Sequence, residues 1–178
     1  PGGPGTRGGL AVMYTAQERY NEAFAEVEAA YDTGRYSEFG ALAGVIAALS
    51  ANDREQLSYW MELVMEHTEG DGIRFWQGIE ETLDDRLAAL AFLRTVDSDS
   101  TAYVKSIWAA WYGDVELALS AMRRSDTTYA FWIPLMKDVR RHPGFKDLVR
   151  DMNLVEYWRE YGWADSCRPV GEEDFECE

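Results

Sequence analysis

The stretch that decides the fold is Trp111-Tyr112-Gly113-Asp114-Val115-Glu116-Leu117-Ala118-Leu119-Ser120-Ala121-Met122. Gly113 and Asp114 separate two apolar, helix-favouring runs, and aspartate is a preferred N-cap residue. This order predicts one helix that ends near Tyr112, a tight turn, and a second helix that packs back on the first. Working outward from this helical hairpin, we find related versions of it three times upstream.

Equivalent positions recur along the chain at nearly constant intervals. Each marker residue follows a polar turn, and a larger apolar residue stands four positions later on the same helix face. The markers, spaced 34, 31 and 30 residues apart, are Ala23, Leu57, Ala88 and Ala118. Their apolar partners are Val27, Met61, Phe92 and Met122. A period near 34 with two antiparallel helices per unit is typical of tetratricopeptide repeats. The alternative is an ordinary helical bundle whose helices have similar lengths.

The chain resembles four tetratricopeptide repeats, and Tyr20, Ala23 and Ala30 occupy family-type positions in the first. The resemblance implies an all-α, tetratricopeptide-like solenoid of about four helical hairpins with a C-terminal helical cap. We expect a flexible, Gly- and Pro-rich lead-in over residues 1–9, repeats over 10–128, capping helices over 129–163 and an acidic tail over 164–178. The expected helix signals are stops at Gly34 and Gly162, N-caps at Ser37 and at Asn52 or Asp53, and a capping box from Asn153 to Glu156.

A second resemblance covers the C-terminal region. Its residues are the run Val139–Val149 and the short motifs Tyr157-Trp158, Gly162-Trp163 and Cys167-Arg168-Pro169. They are similar to the carboxy-terminal end of bacterial repeat proteins in which tetratricopeptide arrays follow a winged-helix DNA-binding domain or a nucleotide cyclase domain. The resemblance implies that this chain is the repeat portion of a larger bacterial signalling or transcriptional regulator. Some members of that family place a membrane span between the two parts.

The charge of the chain restricts its partners. A net charge of −15 argues against direct contact with nucleic acid, because phosphate binding needs clustered Lys and Arg. Residues 123–150 nevertheless hold seven basic and three acidic residues. This basic segment either pairs with acidic neighbours in the same fold or meets an acidic partner. No apolar run is long enough to span a membrane.

The sequence contains no recognisable catalytic constellation. His67 and His142, the two histidines, have no Ser or Cys partner at a typical spacing, and we expect structural roles for both. Neighbouring carboxylates such as Glu80 and Glu81 point about 100° apart on a helix and should form a solvated face. The Asp97-Ser98-Asp99-Ser100 run resembles the start of a calcium loop, but an N-cap fits it better. We therefore expect no enzyme activity, cofactor or metal.

Cys167 and Cys177 are the only cysteines. Three states are open to them: a disulfide, two free thiols, or participation in a metal site, for which two cysteines alone are too few. The redox state bears on location. Free thiols fit a cytoplasmic protein, whereas a bonded pair would fit the periplasm.

The predicted binding site is a groove on the inner face of the repeats. In tetratricopeptide arrays the first helix of each hairpin lines this face, and peptides dock there. By register, the resemblance assigns the groove to Leu42, Ile46, Ile73, Gln77, Glu80, Tyr103, Ile107 and Trp111. Trp111 could equally belong to the core, where we expect Trp108 and Tyr112. Apolar and aromatic residues beside carboxylates suit an amphipathic or basic peptide.

These observations lead to a non-enzymatic protein-interaction or regulatory module that binds a protein or peptide partner. The alternative is an extracytoplasmic ligand- or pH-sensing domain of a membrane-integrated regulator.

Overall fold

The computed structural model describes residues 4–31, 38–125 and 127–178. Within these ranges the chain forms eleven α-helices, and the first eight pair into four helical hairpins. The hairpins are α1 (Pro4–Ala16) with α2 (Tyr20–Tyr31), α3 (Glu38–Ala51) with α4 (Arg54–His67), α5 (Gly70–Thr82) with α6 (Arg86–Thr95), and α7 (Ala102–Trp111) with α8 (Val115–Met122). The predicted all-α arrangement of helical hairpins is confirmed. The predicted stop at Gly34 and N-cap at Ser37 lie outside the described residues.

In three hairpins, an aspartate side chain caps the N-terminus of the second helix. Asp53 Oδ1 accepts hydrogen bonds from the backbone N–H groups two and three residues on, and Asp85 Oδ1 does the same. Asp114 accepts one such bond, from Leu117 N at 3.0 Å. These bonds satisfy N–H groups that the first turn of a helix leaves without partners. The aspartate that follows each turn therefore fixes where α4, α6 and α8 begin.

The lead-in prediction is wrong from residue 4 onwards. Helix α1 begins at Pro4, which suits the first turn of a helix because proline lacks an N–H group. Gly8 lies against α3, where a Cβ atom added to it would stand 2.9 Å from Cδ1 of Phe39. The small residues of this stretch thus allow close helix packing, and packing against α2 and α3 outweighs their low helix propensity.

A glycine also lets α3 approach α4. Gly44 faces the Trp60 indole, and a Cβ atom at this position would lie 2.4 Å from Cδ2 of that ring. Trp60 is fully buried, and its Nε1 donates to Gln56 Oε1 at 3.0 Å. The indole therefore has no open space into which it could move.

We expect Gly44→Ala to lower the free energy of unfolding by about 1–3 kcal/mol, because an added methyl group overpacks the core around Trp60. The matched control is Gly9→Ala in α1, where an added Cβ meets no atom within 4 Å. That change should raise the free energy of unfolding by up to about 1 kcal/mol through helix propensity alone. Urea unfolding of both variants measures the difference. Equal shifts would contradict the packing explanation.

After the fourth hairpin the chain turns back over the repeats. Residues 129–136, here named the closing segment, form two short 3₁₀-helices, Tyr129–Trp132 and Pro134–Met136. The segment contacts α1, α3 and α7, which are first helices of their hairpins. Its Phe131, Ile133 and Met136 are fully buried. The closing segment therefore adds its own apolar residues to the core of the repeats.

The cap consists of α9 (Lys137–Arg141), α10 (Pro143–Asp151) and α11 (Leu154–Tyr161). His142 is the N-cap of α10, since its Nδ1 accepts a hydrogen bond from Gly144 N at 3.1 Å. Gly162 ends α11 as predicted. The capping-box prediction is wrong. Asn153 has a φ of 56°, and its side chain makes no capping bond. This left-handed conformation instead forms part of the turn between α10 and α11.

The acidic tail folds as a β-hairpin rather than an irregular segment. Strands β1 (Cys167–Val170) and β2 (Asp174–Cys177) pair antiparallel, with Cys167 opposite Cys177. A disulfide joins these two residues. Phe175 of β2 is fully buried against Trp158 and Trp163, with ring centroids 5.8 and 5.7 Å away. The hairpin is therefore part of the cap.

Candidate functional site

Within the described part of the chain, the predicted groove residues do not form an open surface. Leu42, Ile46 and Ile107 are between 0 % and 8 % exposed, so they belong to the core. The physical reason is helix packing: α3 is covered by α1, α2 and α4, α7 by α8, and the closing segment contacts both α3 and α7. We therefore correct the assignment of these three residues from partner binding to core packing.

The other five predicted groove residues do not form one surface. Gln77 and Glu80 are exposed on α5, while Ile73, Tyr103 and Trp111 are partly buried. Tyr103 and Trp111 both pack against the hydrophobic core. Trp108 and Tyr112 are buried, as predicted. The groove residues are thus divided between core, partly covered positions and exposed helix surface.

Tyr103 shows how closely the closing segment covers α7. Its hydroxyl group is buried and has no hydrogen-bond partner among the described residues. Burial, followed by the nearby Tyr129, raises the pKa of Tyr103, so the hydroxyl group stays protonated. An amphipathic peptide would have to displace the closing segment to reach this part of α7.

An open apolar cavity lies instead where the closing segment and the cap meet α1. We name it the α1 groove; its volume is about 390 Å³. Its lining residues are Val12, Met13, Ala16, Gln17, Tyr129, Trp132, Trp163, Ala164, Asp165 and Ser166. Met13 is 61 % and Tyr129 58 % exposed, whereas both tryptophans are partly buried. Large apolar side chains therefore reach water at this position.

A second cavity, of about 410 Å³, lies along the edge of the repeats where the hairpin turns stand in a row. We name it the arginine cleft. Its lining residues are Arg54, Leu83, Asp84, Arg86, Trp111, Tyr112 and Gly113. The hydroxyl group of Tyr112 donates to Leu83 O at 2.9 Å and so joins two successive turns. Burial raises the pKa of Tyr112 to about 12, which keeps this hydroxyl group protonated and able to donate.

Neither cavity followed from the repeat pattern. Trp111 is the one predicted groove residue among those that line the two cavities. The α1 groove combines α1 with residues from the closing segment and the cap, so its prediction required knowing how the chain returns. The sequence signal that could have indicated the α1 groove is the pair of apolar residues Leu10 and Met13 in the first helix. Both are exposed in the structure, and apolar residues on an outer helix face are candidates for contact with a partner.

The basic segment pairs mainly within the fold. Arg123 bonds to Asp151 at 3.0 Å, and Arg124 bonds to Asp99 at 2.7 Å and also to Asp97. Lys146 and Arg150 share Asp174 at 2.8 and 3.1 Å. The prediction of internal pairing is confirmed for these four cations. Asp97 and Asp99 therefore serve as partners of Arg124, and neither a calcium loop nor a side-chain N-cap forms there.

The shared carboxylate makes the C-terminal hairpin sensitive to acid. The hydrogen bond from Lys146 chiefly lowers the pKa of the Asp174 carboxyl group. A lowered folded-state pKa adds stability above the unfolded pKa near 4, and that stability is lost as pH falls through the folded value. We expect Asp174→Asn to be less stable than the parent at pH 7, and this difference to be smaller at pH 3, below the unfolded pKa.

Thermal unfolding at both pH values measures this effect, with Asp165→Asn as the control for an exposed carboxylate. A deficit of Asp174→Asn that persists unchanged at low pH would show that the loss has another origin.

The described residues contain no group of three or more His, Cys, Asp and Glu side chains that could hold a metal ion. His67 lies at the end of α4, where its Nδ1 contacts Leu63 O at 3.0 Å, and His142 caps α10. Within the same ranges, no helix is both long and apolar enough to cross a membrane.

Comparison with models of known protein families, with curated proteins and with solved structures finds no match. The resemblances to tetratricopeptide repeats and to bacterial regulators therefore stay predictions.

Proposed function

We propose that this chain is a non-enzymatic protein-interaction module, and that its α1 groove binds an amphipathic, basic peptide segment of a partner protein. The observation that carries this proposal is the exposure of Met13 and Tyr129 above the partly buried Trp132 and Trp163. Methionine and aromatic side chains adapt well to apolar partners and are enriched at interfaces. A peptide helix that buries its apolar side chains here would cover them.

The charge of the molecule supports a basic occupant. The chain carries a net charge of −15. The exposed Asp165 lines the groove, and the exposed Glu18 follows the lining residue Gln17.

Two arginines stand two residues from a lining residue of the groove. Arg19 lies over the Tyr14 ring at 4.4 Å and pairs with Glu22 at 2.9 Å, and Arg168 pairs with Glu176. The positive charge next to the groove is therefore already matched. Lys and Arg on the outer face of a bound peptide would meet a favourable field.

Two designed amphipathic peptides test the proposal. They have the same leucine face, and their polar faces are composed of lysine in one and glutamate in the other. Fluorescence anisotropy with the full chain should show binding of the lysine peptide and at least about tenfold weaker binding of the glutamate peptide. Equal binding of both peptides would contradict the proposed occupant.

A matched pair of variants locates the binding site. Met13→Gln should weaken the lysine peptide about tenfold, because the peptide loses the contact of one buried apolar side chain. Leu87→Gln is the control: Leu87 is 74 % exposed on α6, outside the α1 groove. If both variants bind the lysine peptide as well as the parent, the α1 groove is not the docking surface.

The disulfide favours a second candidate function, that of an extracytoplasmic ligand- or pH-sensing domain of a larger regulator. Cys167 and Cys177 are bonded, and disulfides persist mainly in oxidising compartments. Maleimide labelling of the native protein from source cells, before and after reduction, tests this candidate. Labelling only after reduction would support it, and equal labelling in both states would favour a cytoplasmic module. The attached output domain of such a regulator stays a prediction from the sequence resemblance.

A further inference from the structure

We propose that the arginine cleft is a second binding site, and that it takes a small carboxylic acid with an apolar body. Arg86 and Arg54 would hold the carboxylate, and Trp111 and Leu83 would contact the apolar part. The cleft shares no lining residue with the α1 groove. Failure of this proposal therefore leaves the proposed peptide-binding function untouched.

Arg86 lines the cleft and is the residue that we expect to bind the carboxylate. Its Nε donates to Tyr112 O at 2.6 Å, which holds the guanidinium group of this exposed residue beside the cleft. No carboxylate among the described residues lies within 4.0 Å of Arg86, although the chain has 32 acidic and 17 basic residues. Its terminal N–H groups therefore remain available, in a fork geometry that matches a carboxylate.

The environment of this guanidinium group favours an incoming ligand. Gly113 has a φ of 78°, and a Cβ atom there would stand 3.7 Å from Nη2 of Arg86. The glycine thus leaves space beside the free edge of the arginine. A ligand carboxylate would enter from solvent into a cleft of about 410 Å³, a size within the range of small-molecule sites.

Arg54 supplies a second cation whose present partner is easily replaced. Its guanidinium group lies 5.0 Å from the centroid of the Trp111 ring and 3.1 Å from Asp84. The side chains of Arg54 and Asp84 are 51 % and 88 % exposed, so water and salt screen their ion pair. A ligand held at the same time by Arg86 can compete for Arg54 with this exposed carboxylate.

The remaining surface of the cleft is apolar. Leu83 and Trp111 are both partly buried and present their uncovered parts to the cavity. An aliphatic or aromatic body attached to the carboxylate would cover these parts and add a hydrophobic contribution. This combination distinguishes the proposed ligand from a bare inorganic anion.

Binding of 4-fluorophenylacetate to the full chain, followed by ¹⁹F NMR, tests the site. Its neutral amide should bind at least about tenfold more weakly, because the charge-assisted bonds to the arginines are lost. Equal binding of the acid and the amide would overturn the carboxylate assignment. Tighter binding of inorganic phosphate, measured by competition, would also overturn it.

Three variants test the residues. Arg86→Gln should weaken the acid about tenfold or more, whereas Arg19→Gln, an exposed arginine outside the cleft, should leave its binding unchanged. Asp84→Asn should strengthen binding about two- to fivefold by removing the competing carboxylate. Thermal unfolding checks that Arg86→Gln is folded. If Arg86→Gln does not fold, Asp84→Asn provides the test instead. Unchanged or weaker binding of the acid by Asp84→Asn would then contradict the proposal.

The size of the ligand is tested with a short peptide that ends in a phenylalanine carboxylate. We expect this peptide to bind no more tightly than 4-fluorophenylacetate, because the cleft is built for a small acid. Binding more than tenfold tighter by the peptide would overturn the small-acid assignment.

Discussion

Replacing Arg140 by methionine is expected to lower the free energy of unfolding by about 3 kcal/mol or more. The Arg140 side chain is buried, and its Nη1 donates to Phe131 O at 2.7 Å and to Ile133 O at 2.9 Å. Its Nε donates to Glu178 O at 2.7 Å. Methionine fills a similar length but removes these three bonds from a charged donor, each worth about 1.5–3 kcal/mol, although Ile133 O still accepts from Met136 N at 3.1 Å. Guanidinium chloride unfolding at pH 7 measures the loss.

Arg141→Met provides the control for the charge and size of the change. Arg141 is exposed and lies 3.9 Å from Asp138, an ion pair that contributes little at the surface. We expect its free energy of unfolding to stay within about 0.5 kcal/mol of the parent. Equal losses in the two variants would show that the buried hydrogen bonds of Arg140 are not the cause. The closing segment would then be held by its apolar contacts alone.

Removal of the disulfide should have an effect of similar size. Replacing Cys167 and Cys177 together by alanine is expected to cost about 3 kcal/mol, the chain-entropy value for a closed loop of this length. The two residues are 10 apart in sequence and stand opposite each other in the β-hairpin. Thermal unfolding with and without a reducing agent measures the contribution.

The double alanine variant is also its own control. A reducing agent should lower the stability of the parent and leave the variant unchanged. If the parent is equally stable in both conditions, the disulfide does not constrain the chain. Because Arg140 bonds to Glu178, directly after Cys177, its loss and the loss of the disulfide should be non-additive.

The local elements of the fold could largely be predicted from the sequence. Polar turns, the aspartate N-cap at position 53 and the helix stop at Gly162 depend on interactions within a few residues of each other. Such interactions leave a pattern in the chain itself. The four helical hairpins follow from this pattern, and the structure contains them.

The surface could not be predicted in the same way. Residues 4–9 form part of a helix because α3 packs against Gly8, and Leu42 is buried on α3, which packs against α1, α2, α4 and the closing segment. These contacts join parts of the chain that are far apart in sequence, and no local pattern records them. The β-hairpin was missed for a related reason: its strands have four residues each, and Phe175 is covered by distant tryptophans.

The return of the closing segment to α1 changes the expected cooperativity of the molecule. In an open array each repeat contacts only its neighbours, so unfolding can start at an end and spread stepwise. Here the closing segment, which follows the fourth hairpin, packs on α1 as well as on α7. Unfolding of α1 alone would break that contact. Native-state hydrogen exchange should therefore give α1 and α7 the same opening free energy, and deletion of the first hairpin should unfold the whole chain instead of shortening it.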